Sequence, residues 1–138
     1  MTDPRWVDAV LDWRWAWLLA RLGLTSAYIL GGFTKLFDFS AAVAEQQHFG
    51  LHPPVIWAGI TIAVEIVAPL LIISGRLVWL AAGALGVLTA VASFVANDFW
   101  NLEGQARFMA LNSFFEHIGL IAGFVMAALI AKQEKREP

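Results

Sequence analysis

The sequence predicts an all-α integral membrane protein: a four-helix bundle carrying short interfacial helices. Three observations lead there. Of 138 residues, 59% are hydrophobic and only 14% charged, whereas soluble domains are usually about 25% charged. The mean hydropathy is +0.68, more apolar surface than a soluble domain of this size can hide, because surface grows relative to volume as domains shrink. Finally, four stretches approach the ~20 mostly apolar residues needed to cross a hydrocarbon core ~30 Å thick.

Taken in order, Asp3-Pro4 reads as an N-cap followed by Pro in the first helical position. Trp6, Val10, Trp13 and Trp17 then recur at helical spacing opposite Arg5, Asp8 and Asp12, which predicts an interfacial helix over residues 4–14. The first span is Trp15–Phe37. In the connection Asp38–Pro54, Asp38 or Ser40 caps a short helix running to Phe49, and Gly50 ends it before Pro53-Pro54. Its apolar residues Phe39, Val43, Phe49 and Leu51 set it against the bundle mouth. The second and third spans, Val55–Ser74 and Leu77–Ala96, are separated only by Gly75-Arg76. One continuous helix would far exceed the bilayer thickness, so a tight hairpin is expected. The loop after it mixes Phe99 and Trp100 with Asn97, Asp98 and Asn101, an interfacial composition, and leads into the fourth span, Phe108–Ala131.

With four spans, Arg5, Arg14, Arg76, Lys132, Lys135 and Arg136 share one side, and only Lys35 and Arg107 fall on the other. Cytoplasmic loops carry the excess of Lys and Arg, so both termini are expected in the cytoplasm. Stripes of small residues (Gly23, Ala27, Gly31; Ala82, Gly86, Ala90; Gly119, Gly123, Ala127, Ala131) predict close helix contact within the bilayer.

Several chemistries are excluded or disfavoured. A net charge of −2 without a basic groove gives no nucleic-acid partner, and the absence of cysteine removes disulfides and thiolate chemistry. No phosphate-binding loop, zinc helix or Ser-His-Asp pattern is present. His48 and His52 have a chelating spacing, but Gly50 interrupts the helix between them and no carboxylate completes the set, so no metal site is expected.

The ionisable residues within the spans carry the functional expectation, since a charge at bilayer depth costs at least ~2.5–3.5 kcal/mol and normally faces a partner inside. Arg21 lies ~9 Å above the inner end of span one and Glu65 near the middle of span two, which predicts an Arg21–Glu65 pair. That pair reads either as a register-fixing ion pair or as one wall of a ligand or proton site. Asn112, Glu116, Gly119 and Gly123 share one helix face. Glu116 is therefore expected to point inward, with Lys35 as its partner and His117 about 100° round the helix. The candidate site comprises Glu65, Glu116 and His117 as proton-exchanging catalytic groups. Arg21, Lys35, Asn112 and Trp100 are the substrate-binding candidates.

The stretch Arg21-Leu22-Gly23-Leu24, followed by Gly31-Gly32-Phe33-Thr34-Lys35-Leu36-Phe37-Asp38-Phe39, resembles the first segment of DoxX-family membrane proteins. Glu65 in its small-residue-rich span, Leu70 to Arg76, Phe99-Trp100, and Asn112 to Leu120 continue the resemblance in order and spacing. It implies a four-helix bundle of the bacterial inner membrane, associated with quinone-linked redox or redox-stress chemistry. With no cysteine and no convincing haem or flavin ligands, no built-in cofactor is expected. Under the quinone-linked reading the ligand is a quinone, and the partners are the lipid bilayer and a membrane or soluble redox protein that carries the redox centre. Pro69, four residues after Glu65, departs from the small residue expected there and is a residue type that kinks helices. The alternatives are a non-catalytic accessory subunit of a larger membrane complex and, last because no inverted repeat is evident, a small transporter or proton pathway.

Overall fold

A backbone without water must satisfy its own hydrogen bonds, so long apolar runs in a bilayer fold as helices. In the structure, a computed structural model that describes residues 3–136, the chain begins with α1 (Arg5–Leu11) and the long α2 (Ala16–Phe37). A short α3 (Phe39–His48) follows, then α4 (Pro54–Ser74) and α5 (Val78–Ala96). A 3-10 turn (Phe99–Asn101) leads into α6 (Gly104–Glu134). α2, α4, α5 and α6 are each long and apolar enough to cross a membrane.

α1 differs in detail from expectation. Pro4 occupies the N-cap position, with Asp3 one residue further out, and no side chain caps the helix. The helix ends at Leu11 and buries none of its residues, leaving Trp6, Val10 and Leu11 exposed. This apolar surface suits the headgroup region, where Trp is favoured. α3 begins as its capping chemistry requires: the Asp38 carboxylate accepts from the Ala41 N–H at 3.1 Å and from the Ser40 hydroxyl at 3.0 Å. Ala42 of α3 is buried with Ala58 and Ile62 of α4, which lays α3 across the loop end of the bundle.

The α4–α5 hairpin is closed by a left-handed Gly75 (φ +73°). The N–H groups of Gly75 and Arg76 return to the carbonyls of Ile72 and Leu71 at 3.1 and 3.0 Å, the double closure of a glycine-terminated helix. The main core also lies toward this end of the bundle, where Ala68, Ile72, Val78, Ala81, Leu85 and Phe124 pack together. The bundle is therefore tied at the end that carries the termini, while the loop-side half of the α4–α5 interface stays open. α6 runs past its predicted span at both ends. Its 31 residues measure ~46 Å against a ~30 Å hydrocarbon core, so its polar turns extend beyond the bilayer.

The small-residue stripes pack only in part. Gly123 receives the Leu24 side chain, and Ala82, Ala127 and Ala131 are buried, but Gly23, Gly86 and Gly119 have no neighbour against the face a side chain would occupy. On α2 the tightest contact falls on Gly32 rather than Gly31. A methyl group there would stand 2.8 Å from Ile66 and 3.0 Å from the Glu65 Cβ.

Candidate functional site

The site starts from that contact. Gly32 allows α2 to press directly on the α4 backbone at Glu65, and Gly31 leaves an open floor beside the Glu65 carboxylate. Lys35 lies one turn further along α2. Helical side chains lean toward the N-terminus of their own helix, so its four-carbon stem runs back over Gly31 into the bundle. Its ammonium donates to both carboxylate oxygens of Glu65, at 3.1 and 3.0 Å. Both side chains are largely removed from the surface, at 19% and 11% exposure. Pro69 is buried one turn beyond Glu65, within a helix that continues through it. Lacking an N–H, it leaves the Glu65 carbonyl without its usual donor four residues on.

The expected Arg21–Glu65 and Lys35–Glu116 pairs are therefore both replaced. Arg21 leans the same way as Lys35, toward the termini, and reaches Glu134 in the last turn of α6 at 3.3 Å. Its guanidinium stacks on Trp17, 4.3 Å from the ring centroid, and packs against Gly75. Arg21 thus gathers the ends of α2, α4 and α6 and takes no part in the Lys35–Glu65 site. Glu116 and Asn112 lie on an exposed face of α6. The inward face carries Ala110, His117, Phe124 and Ala131 at seven-residue intervals. Trp100 sits in an aromatic cap at the loop end, edge-on to Phe99 and Phe114.

Beside the ion pair is a cavity of about 650 Å³ walled by α3, α4 and α5. Its polar lining is Lys35, Glu65 and Thr61, with Glu45 and the buried Gln46 of α3; the remainder is apolar, including Trp57, Leu80 and Leu88. Several lining residues, among them Ile60, Leu80 and Val91, are exposed on the outer face of the helices, where the bilayer lies. The cavity thus opens sideways toward lipid. α5, which carries no ionisable residue, forms one of its walls.

A second polar element runs along α5. Thr89 donates to the Leu85 carbonyl at 2.6 Å, so the Tyr28 hydroxyl donates in turn to Thr89 Oγ1. Ser93 donates to the Thr89 carbonyl at 2.7 Å, which uses its only proton. His117 Nδ1 lies 2.9 Å from Ser93 Oγ, within hydrogen-bond reach. Asn97 Nδ2 lies 3.3 Å from the same nitrogen. His117 is thereby fixed in a hydroxyl ladder one helix away from Lys35–Glu65. Among the described residues, no hydrogen bond joins the two elements. Of the ladder residues, Tyr28, Thr89 and Ser93 carry no role in the sequence expectation, which places Asn97 only in an interfacial loop. The four-residue spacing of Thr89, Ser93 and Asn97 was the signal available. Among the described residues no three His, Asp or Glu side chains gather as metal ligands, and His48 and His52 are exposed.

Four membrane-crossing helices around a buried Lys–Glu pair define a small multi-pass membrane protein with a lipid-facing cavity. The chain belongs to the DoxX family, whose model, described as DoxX, matches residues 16–98. That stretch carries α2 to α5, and with them both members of the Lys35–Glu65 pair and the cavity walls. The chain is also similar to the inner membrane protein YphA of Escherichia coli (strain K12), at 23% identity over 112 residues, 81% of this chain and 80% of that protein. No solved structure matches.

Proposed function

We propose that this chain holds a lipid-soluble ligand with a polar head group, of the quinone class, as the membrane subunit of a quinone-linked redox system in a bacterial inner membrane. One observation carries the reading: a cavity of about 650 Å³, open to the bilayer and mostly apolar, ends on the Lys35–Glu65 pair. Ligand pockets of roughly 300–1,000 Å³ usually combine apolar walls with a few polar groups that orient the ligand. An isoprenoid tail lies along α4 and α5 while the Lys35 ammonium donates to a head-group carbonyl oxygen. Reducing a quinone to its quinol takes two electrons and two protons. Here the electrons come from a membrane or soluble redox partner, and Glu65 exchanges protons with the head group.

Titrating a short-chain quinone into the purified chain tests this through fluorescence of Trp57, which lines the cavity alone and is isolated by difference against Trp57→Phe. Saturable quenching is expected, weakened at least about tenfold in a Lys35→Met/Glu65→Leu variant, the size of effect that follows from losing one or two charge-assisted hydrogen bonds. Unsaturable quenching, or equal affinity in the variant, would refute the reading.

A second reading, an accessory subunit of a larger membrane complex, is favoured by the outward-facing Asn112 and Glu116 of α6. In the detergent-solubilised mass it would appear as a stable hetero-complex whose activity survives loss of Glu65.

The cytoplasmic placement of both termini is tested directly because the chain has no cysteine. Single substitutions Arg76→Cys and Gln105→Cys, treated in intact cells with a membrane-impermeant thiol reagent, are expected to label only at position 105. The reverse pattern would invert the topology.

A further inference from the structure

A second groove, of about 690 Å³, runs between α5 and α6 on the other side of α5 from the cavity. Its walls are apolar, formed by residues such as Ala82, Gly86, Ile121 and Leu129, and it ends at Lys132 and Lys135. Its length is informative. From Ile121 to Lys132 along α6 is ~17 Å, close to the ~15 Å of one leaflet. It therefore runs from the headgroup level on the side of the termini to about the bilayer midplane. A second copy's membrane-crossing helix would need a groove running the full depth, whereas a single acyl chain needs only this half. The charge points the same way. Lys132 and Lys135 lie one turn apart, and among the described residues neither forms an ion pair. Beside them is Trp79, a residue type favoured at headgroup depth.

We infer that the α5–α6 groove is a binding site for an anionic phospholipid of the leaflet on the side of the termini. One acyl chain lies between Gly86 and Leu129, and the phosphate sits on the ammonium groups of Lys132 and Lys135. Basic pockets between membrane helices recognise anionic headgroups in this way.

The test is native mass spectrometry of the full chain extracted from mixed vesicles of phosphatidylglycerol and phosphatidylcholine. Phosphatidylglycerol is expected to be retained preferentially. Lys132→Gln/Lys135→Gln should reduce that preference roughly fivefold per lysine, about 25-fold in all. Gly86→Leu projects into open groove space and should displace the lipid with both lysines intact. Arg76→Gln, at the same end but outside the groove, should leave retention unchanged. Circular dichroism and a monodisperse elution profile establish that each variant is folded. Equal retention of the two lipids, an unchanged preference in the double lysine variant, an equal loss with Arg76→Gln, or a second copy of the chain in place of lipid would each overturn the inference.

Discussion

Replacing Lys35 with Met is expected to destabilise the bundle by about 3 kcal/mol, with Glu65→Leu costing clearly less and the double variant recovering much of the loss. The lysine bonds both oxygens of a carboxylate that is 89% removed from the surface. Removing one partner of a buried pair costs about 3–5 kcal/mol, because it strands the other charge. The asymmetry follows from depth. Lys35 is two residues from the end of α2, so without Glu65 its stem can carry the ammonium out toward the headgroups. Glu65 is eleven residues from the start of α4 and has no such exit. Thermal unfolding of the four proteins in one detergent, treated as a double-mutant cycle, checks this. Equal single losses that simply add would show that the pair contributes nothing as a pair.

The second large effect is expected at Gly32. Alanine there places its methyl 2.8 Å from the Ile66 side chain and 3.3 Å from the Glu65 backbone carbon. Because that carbon is main chain, relief requires α2 and α4 to separate. Overpacking of this kind usually costs about 1–3 kcal/mol, and here it also lengthens the Lys35–Glu65 contact. Gly31→Ala is the matched control, since its methyl would sit at an ordinary 3.5 Å from the same ion pair. A Tm lowered by Gly32→Ala and unmoved by Gly31→Ala is the expected result. Equal behaviour of the two would mean the helices do not meet as closely as described.

The four spans were legible because hydropathy and length decide them almost alone, and the hairpin followed from bilayer thickness. The short α3 was legible because Asp38 and Gly50 act through local backbone geometry. The partners of the buried charges were not. Axial rise placed Arg21 and Glu65 within reach, but rise locates Cα atoms, and a long side chain departs from its Cα toward the helix N-terminus. Applied to α2, that lean takes Arg21 away from Glu65 and brings Lys35 to it. The inward face of α6 differs from the expected one for another reason. Gly119 and Gly123 suggested a packing stripe, yet only Gly123 meets α2, and the buried seam passes through His117 and Phe124 instead. Sequence spacing shows which residues share a face and leaves open which face turns inward. The hydroxyl ladder on α5 is not legible in the sequence because Thr and Ser carry no charge to mark them inside a span.

Trp79, Gly83 and Val87 line both the α3–α4–α5 cavity and the α5–α6 groove. They form a ridge one residue wide along α5, with a separate compartment on each flank. Any genetic or labelling experiment at these three positions perturbs two compartments at once, and its phenotype belongs to neither. Clean attribution needs the flanks: Leu80, Ala84 and Leu88 touch only the cavity, while Ala82, Gly86 and Ala90 touch only the groove. The same ridge supplies an internal control, because a variant on one flank that alters behaviour on the other measures cross-talk through α5 itself.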